Sequence, residues 1–73
     1  MKDFLEYLVK SIVDIPDDVL VEENGENLSL RVNQSDMGKV IGKSGRIIKA
    51  LRDLVKVLAV KKNLRVNVIL SEG

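Results

Sequence analysis

The run Val40-Ile41-Gly42-Lys43-Ser44-Gly45-Arg46-Ile47-Ile48 is the segment of this chain whose residue types point to a ligand. Two glycines three apart, Gly42 and Gly45, let a backbone turn tightly and come close to another polymer. If a helix follows such a loop, the amides of the loop and of the first turn face an anion. Lys43 and Arg46 put mobile positive charge at the same place, and Ser44 is a small polar side chain that leaves the passage open. Lys39 stands one turn before the loop and Lys49 lies in the first turns after it, so both are within reach. Val40, Ile41 and Ile48 offer apolar floor for flat rings, although core packing explains Ile41 and Ile48 at least as well. A phosphodiester backbone fits this set.

Other chemistries fit less well. Gly38-Lys39-Val40-Ile41-Gly42-Lys43-Ser44 mimics a nucleotide-binding P-loop, but three residues separate its glycines where that motif needs four. A P-loop also follows a buried strand, and the pattern before Gly42 is helical. The chain has no histidine and no cysteine, which removes the commonest general base, the commonest zinc ligand, disulfides and thiolate chemistry. The acids fall in solvated-looking runs on the first helix, its exit and the hairpin. The expectation is a non-catalytic protein with no metal and no cofactor. Phe4 and Tyr7 are the only aromatic residues, and both lie far from the loop in sequence. Base stacking on aromatic rings is therefore unavailable to the loop.

The net charge of +1 hides an asymmetry. Residues 1–36 carry three basic and nine acidic residues, whereas residues 37–73 carry nine basic residues against Asp53 and Glu72. A polyanion senses the local patch and not the average, and the basic half holds the glycine loop.

At 73 residues the chain is expected to be one domain, 1–73, with one small core. No segment approaches the ~20 apolar residues of a membrane span. Met1-Lys2-Asp3 lacks a signal-peptide layout, so a cytoplasmic location is expected. Residues 3–14 place Phe4, Leu5, Leu8, Val9, Ile12 and Val13 at helical spacing. Pro16 stops that helix. Val19–Glu23 reads as a strand, Asn24-Gly25 as a hairpin turn, and Leu28, Leu30 and Val32 as the inward face of a second strand. Ser35 or Asp36 can cap a short helix through Ile41. A long helix is expected over about Gly45–Val60, then a polar break at Lys61-Lys62-Asn63, then a last strand through Leu64, Val66, Val68 and Leu70. This order predicts an α+β two-layer sandwich, α-β-β-α-α-β, with helices covering one face of a three-stranded sheet. The last strand returns after a helical crossover, which allows parallel pairing.

The long helix is apolar over too wide a sector. Ile47, Leu51, Leu54, Val55 and Leu58 suffice for a core stripe, with Ile48, Ala50 and Val57 flanking it. A surface helix usually buries a sector of about 100°. The first helix can cover one edge or the whole of the excess; what it leaves would be a groove floor beside the loop or a surface for a second copy or another partner, with Leu54, Ala50 and Val57 as the candidate residues.

Ile41-Gly42-Lys43-Ser44-Gly45-Arg46-Ile47-Ile48 resembles the I-G-x-x-G-x-x-I signature of KH domains, whose loop also joins two helices. The element order resembles the bacterial type II arrangement. The last strand is expected to end at Leu70, which leaves too few residues for the type I extension. A single unit of this length, with Asn33-Gln34-Ser35-Asp36 before Gly38-Lys39-Val40-Ile41-Gly42, resembles the small bacterial KH proteins of the KhpA type. The resemblance implies binding of single-stranded RNA, about four nucleotides per unit, with the loop on the backbone. By the same resemblance Gly42, Lys43, Ser44, Gly45, Arg46, Lys49, Lys39 and Ile41 form the RNA site. Arg65, Asn67, Lys61 and Lys62 would lie across the groove. The resemblance further implies an RNA chaperone or post-transcriptional regulator, a homodimer or a heterodimer with a larger Jag-type (KhpB) protein, and a link to cell-wall homeostasis and cell length. The alternative is a KH scaffold used purely for protein assembly.

Overall fold

The computed structural model describes residues 1–71. Glu72, one of the two acids of the basic half, lies outside the described residues. The elements are α1 (Lys2–Lys10), β1 (Leu20–Asn24), β2 (Asn27–Arg31), α2 (Met37–Ile41), α3 (Arg46–Lys61) and β3 (Asn67–Leu70). Short 3-10 turns occupy Pro16–Asp18, Gln34–Asp36 and Lys43–Gly45. The sheet runs β1-β2-β3, with β1 antiparallel and β3 parallel to β2. The turn that joins β1 to β2 is Gly25-Glu26, with Gly25 at φ +58°, one residue later than the expected Asn24-Gly25 pair, because Asn24 stays in the ladder opposite Asn27.

Period-two alternation sends Val21, Leu28, Leu30 and Val68 to one face of the sheet, where they are buried. Leu5 and Val9 of α1, Val40 of α2, and Ile48, Leu51 and Val55 of α3 cover that face. The architecture is the expected α+β sandwich, with a three-stranded mixed sheet and three helices.

Two boundaries, a helix cap and the core stripe of α3 differ from the sequence reading, each for a physical reason. The first helix ends at Lys10 and not at Asp14. Beyond Val13 the amides of Asp14 and Ile15 donate to Oδ1 and Oδ2 of Asp36, at 3.1 and 2.9 Å. That carboxylate is 1% exposed, so it pins the exit of α1 to the entrance of α2 from inside the protein. Asp36 therefore stands at the N-cap position of α2 without capping it. Asn33 caps the preceding 3-10 turn instead, its Oδ1 accepting from the Ser35 amide at 2.9 Å.

The last strand starts at Asn67, not Leu64. Residues after α3 are used to close the helix. Asn63 adopts φ +58°, the Leu64 amide donates to the Ala59 carbonyl at 2.8 Å, and the Asn63 amide donates to Val60 at 3.0 Å. This is a Schellman closure with asparagine in the left-handed position that glycine usually takes.

The core stripe of α3 also differs. Ile48, Leu51, Val55 and Ala59 are the buried residues, whereas Ile47 and Leu54, expected inside, are 39% and 50% exposed. The spacing of three and four still holds, but the buried arc is rotated within the apolar sector. Phe4 is only partly buried, packed at the margin of the core, while Tyr7 is exposed.

The pin at Asp36 has a measurable worth. Asp36→Ala leaves two amides without a charged acceptor. Urea unfolding is expected to show a loss of about 1.5–3 kcal/mol, with Asp36→Asn losing less because one acceptor oxygen remains.

Candidate nucleic-acid interface

The loop is shaped by residues that avoid ordinary backbone geometry. Gly42 sits at φ 74°, ψ −178°, a region that only glycine enters readily. A Cβ there would lie 2.6 Å from Ile47 Cγ1, so the first turn of α3 folds back onto the bare backbone of Gly42. Ser44 (φ 58°, ψ 28°) and Gly45 (φ 72°, ψ 17°) are both left-handed. At Gly45 a Cβ would meet nothing within 4 Å, so this glycine serves the turn and keeps the outer side of the loop open. The loop is closed by the Gly42 amide donating to the Gly38 carbonyl at 2.9 Å and the Gly45 amide donating to Gly42 at 3.3 Å.

The helix that follows begins in an unusual electrostatic state. No side chain caps the N-terminus of α3, and its first turn holds no acid. Arg46 and Lys49 occupy its start instead, with Lys43 just outside. Cations at the positive end of a helix dipole oppose the fold by roughly 0.3–1 kcal/mol each. A local rule is broken where an anionic ligand would restore the balance.

The structure brings Gly42, Lys43, Ser44, Gly45 and Arg46 together as one loop, with Lys49 one turn along. Ile41 is half-buried at the end of α2, and Ile48 is in the core. Lys39 forms an ion pair with Asp14, so its charge is partly committed to the α1 exit. Lys61, Lys62, Arg65 and Asn67 do not join the loop. They stand at the other end of α3, a 16-residue helix about 24 Å long.

Two basic residues escaped the sequence reading. Gly45, Lys49, Arg52 and Lys56 recur at spacings of four, three and four, which aligns them on one stripe of α3. Arg52 crosses to the sheet edge, where its Nε donates to the Val68 carbonyl at 3.1 Å. This spacing was visible in the sequence. On the stripe that carries Ile47, Ala50, Leu54 and Val57, all four residues are exposed. Among the described residues no group of acids could hold a metal ion, and no helix is long and apolar enough to cross a membrane.

The family model described as "KhpA/KhpB, KH domain" matches residues 2–70. The chain belongs to the KhpA/KhpB KH-domain family. It is similar to the RNA-binding protein KhpA of Clostridium acetobutylicum, 56% identical over 70 residues, covering 90% of this chain and 93% of the relative. The KhpA of Clostridium perfringens is 53% identical over the same length and coverage. That of Chlamydia trachomatis is 45% identical over 76 residues, covering 99% of this chain and 97% of the relative. No solved structure matches the chain significantly. Membership in a family of RNA-binding KH domains identifies a non-enzymatic protein, in agreement with the reading drawn from the residue types.

The misplaced charge at the start of α3 gives a test with opposite signs. In Arg46→Glu, an acid replaces a cation in the first turn. Thermal melts at low salt are expected to show a gain of about 0.3–1 kcal/mol. Fluorescence polarisation with a labelled oligouridylate is expected to show weaker binding by the same variant.

Proposed function

We propose that this KH domain binds single-stranded RNA through the Gly42–Gly45 loop. The observation that carries the reading is an uncapped helix N-terminus bearing Arg46 and Lys49, entered through a loop in which Ser44 and Gly45 are left-handed and Lys43 is exposed. Phosphates lie against the loop backbone and the first amides of α3. Lys43, Arg46 and Lys49 neutralise them, Lys39 contributes from the Asp14 pair, and Ile41 supplies apolar contact for a base. Without aromatic stacking near the loop, affinity per unit is modest and falls steeply with salt. The relatives named RNA-binding protein KhpA support the ligand class.

In this reading the protein acts in the cytoplasm as an RNA chaperone or post-transcriptional regulator. It works with a second, larger KH protein of the Jag (KhpB) type and influences cell-wall homeostasis and cell length. The pairing of two names in the matching family model supports such a partner.

Lys43→Asp/Ser44→Asp tests the loop. Aspartate tolerates the left-handed backbone of Ser44, so the variant folds, as circular dichroism will verify. Labelled single-stranded RNA is expected to bind the native protein more weakly at physiological than at low salt, and to leave the variant unbound. Equal binding by both proteins would remove the loop from the site.

A second reading, assembly, is favoured by one observation. Leu54 and Val57 are 50% and 60% exposed on the stripe that also holds Ile47 and Ala50. A second KH unit packed there would put two loops on one RNA and raise apparent affinity through effective concentration. Sedimentation of the native protein at tens of micromolar is expected to show a dimer, and Leu54→Glu a monomer. A native monomer would leave this stripe to a different partner chain.

A further inference from the structure

The end of the β1–β2 hairpin brings a carboxamide and an unshielded backbone amide together. Of the five asparagines in the chain, Asn24 alone is followed by glycine. Asn27, Asn33, Asn63 and Asn67 precede Leu28, Gln34, Leu64 and Val68, whose side chains crowd the amide nitrogen that follows each asparagine. That nitrogen is the natural nucleophile for an asparagine side chain, because its attack on Cγ closes a five-membered ring. Three things hold the reaction back: a bulky next residue, hydrogen bonds on either group, and a backbone that cannot rotate.

The first two are missing at Asn24. A Cβ at Gly25 would meet nothing within 4 Å, so the approach to its nitrogen is open. Gly25 opens the two-residue turn, and its amide donates to no acceptor among the described residues. By contrast the Leu64 amide, the matching nucleophile for Asn63, is engaged by the Ala59 carbonyl at 2.8 Å. The Asn24 side chain is exposed and has no hydrogen-bond partner among the described residues. Asn27, its neighbour across the ladder, has Oδ1 turned toward β3, where it accepts from Nδ2 of Asn67 at 3.4 Å. Asn33 shows the opposite case, with its Oδ1 accepting from the Ser35 amide and its Nδ2 donating to Asp18.

The ladder supplies the third restraint. Asn24 and Asn27 are the terminal pair of β1 and β2. Ring closure needs the Asn24 backbone to rotate out of the extended form. That opens this pair and leaves the next, Glu23 with Leu28, in place. Opening at the end of an element is the least costly local unfolding a protein undergoes.

We propose that Asn24 is a self-modification site, converted to isoaspartate and aspartate by the amide of Gly25. The Gly25 nitrogen gives its proton to solvent base and attacks Cγ of Asn24. The N–Cγ bond forms, the Cγ–Nδ2 bond breaks, and ammonia leaves with a proton from solvent. Water then opens the cyclic imide. Hydrolysis at Cγ gives aspartate, and hydrolysis at the main-chain carbonyl leaves the chain running through Cγ as isoaspartate. Neither step needs an oxidant, a reductant or a cofactor. Both products add a negative charge beside Glu22, Glu23 and Glu26. Isoaspartate also adds a methylene to the main chain where the short turn fixes the β1–β2 register. Glu26 lies in that turn, and its carbonyl accepts from the Asn67 amide at 2.8 Å, the bond with which β3 begins. The modification therefore loosens the start of β3, and the Gly42–Gly45 loop takes no part in it.

The test keeps the full chain folded in warm, mildly alkaline buffer beside a second sample unfolded in guanidinium chloride. Tryptic mass mapping reads the peptide 11–31, and fragmentation separates Asn24 from Asn27. The folded chain is expected to lose the Asn24 amide, more slowly than the unfolded sample, with the other asparagines intact. Methyl transfer from labelled S-adenosylmethionine by a protein-isoaspartate methyltransferase is expected to mark the product. Asn24→Gln keeps a carboxamide but enlarges the ring, and is expected to stay unmodified. Ion exchange separates the isoaspartyl form, which is expected to melt below Asn24→Asp, a variant with the charge but no extra methylene. The site is overturned if the folded chain keeps the Asn24 amide for the time in which the unfolded sample converts. It is equally overturned if another asparagine of the folded chain reacts first. Aspartate without isoaspartate would also sink it, since water and not the Gly25 amide would then be the nucleophile. Equal melting of the isoaspartyl form and Asn24→Asp would overturn the loosening of β3.

Discussion

The contact between Ile47 and the bare backbone of Gly42 governs how α2 and α3 meet. The chain reverses between two helices in four residues, and the first turn of α3 then packs where a side chain at position 42 would stand. A Cβ would push Ile47 outward and tilt the start of α3. That helix carries Ile48, Leu51 and Val55 into the core and holds Lys49, Arg52 and Lys56 on one stripe, with Arg52 reaching the sheet edge. A shift at its start therefore moves both the hydrophobic packing and the line of charge. Gly45 plays a different part. Open space surrounds it, so it affects what can approach the loop more than how the loop is held.

Polar groups fix the rest of the frame at two places where apolar packing has no directional preference. Asp36 is the only buried charged residue among those described, and it gathers two amides from a segment 21 and 22 residues away. This ties the acidic exit of α1 to the start of α2 and explains how Lys39 comes to face Asp14. At the other end, the left-handed Asn63 turns the chain off α3 and toward the sheet edge. The two pins bracket α2 and α3, so the loop and the Asn63 closure sit at opposite ends of one span.

Legibility of the sequence followed the physics of each residue. The loop and the presence of a hairpin turn were readable because Gly42, Gly45 and Gly25 answer backbone demands that few residues meet. The alternation of Leu28 and Leu30 and the helical spacing of Leu5 and Val9 were equally plain. The rotation of α3 was not readable. Its apolar sector is wider than any one face can bury, and only the position of the sheet decides that Ile48 goes inside while Ile47 and Leu54 stay out. Asp36 looked like an ordinary helix cap because its partners are distant in sequence. Leu64 and Val66 alternate as strand residues do, and that alternation masks the helix-closing signal of Asn63. Of the site residues, those in and just after the loop are gathered as read. Lys61, Lys62, Arg65 and Asn67 are separated from them by the length of α3.

The parallel pairing of β2 with β3 has a consequence for how evenly the protein holds together. The hairpin, the helices and the loop close over short sequence distances, but Asn27 pairs with Asn67 and Leu30 with Leu70. That pairing closes the longest loop of the sheet and so belongs late in folding. An edge strand of four residues that forms last is also the first to fray. Arg52 restrains it at one carbonyl. Opening of β3 would undo the pairing of Asn67 with Asn27 while Gly42 and Ile47 remain packed. The molecule thus has a graded rigidity, firm at the glycine loop and softer toward the far end of α3.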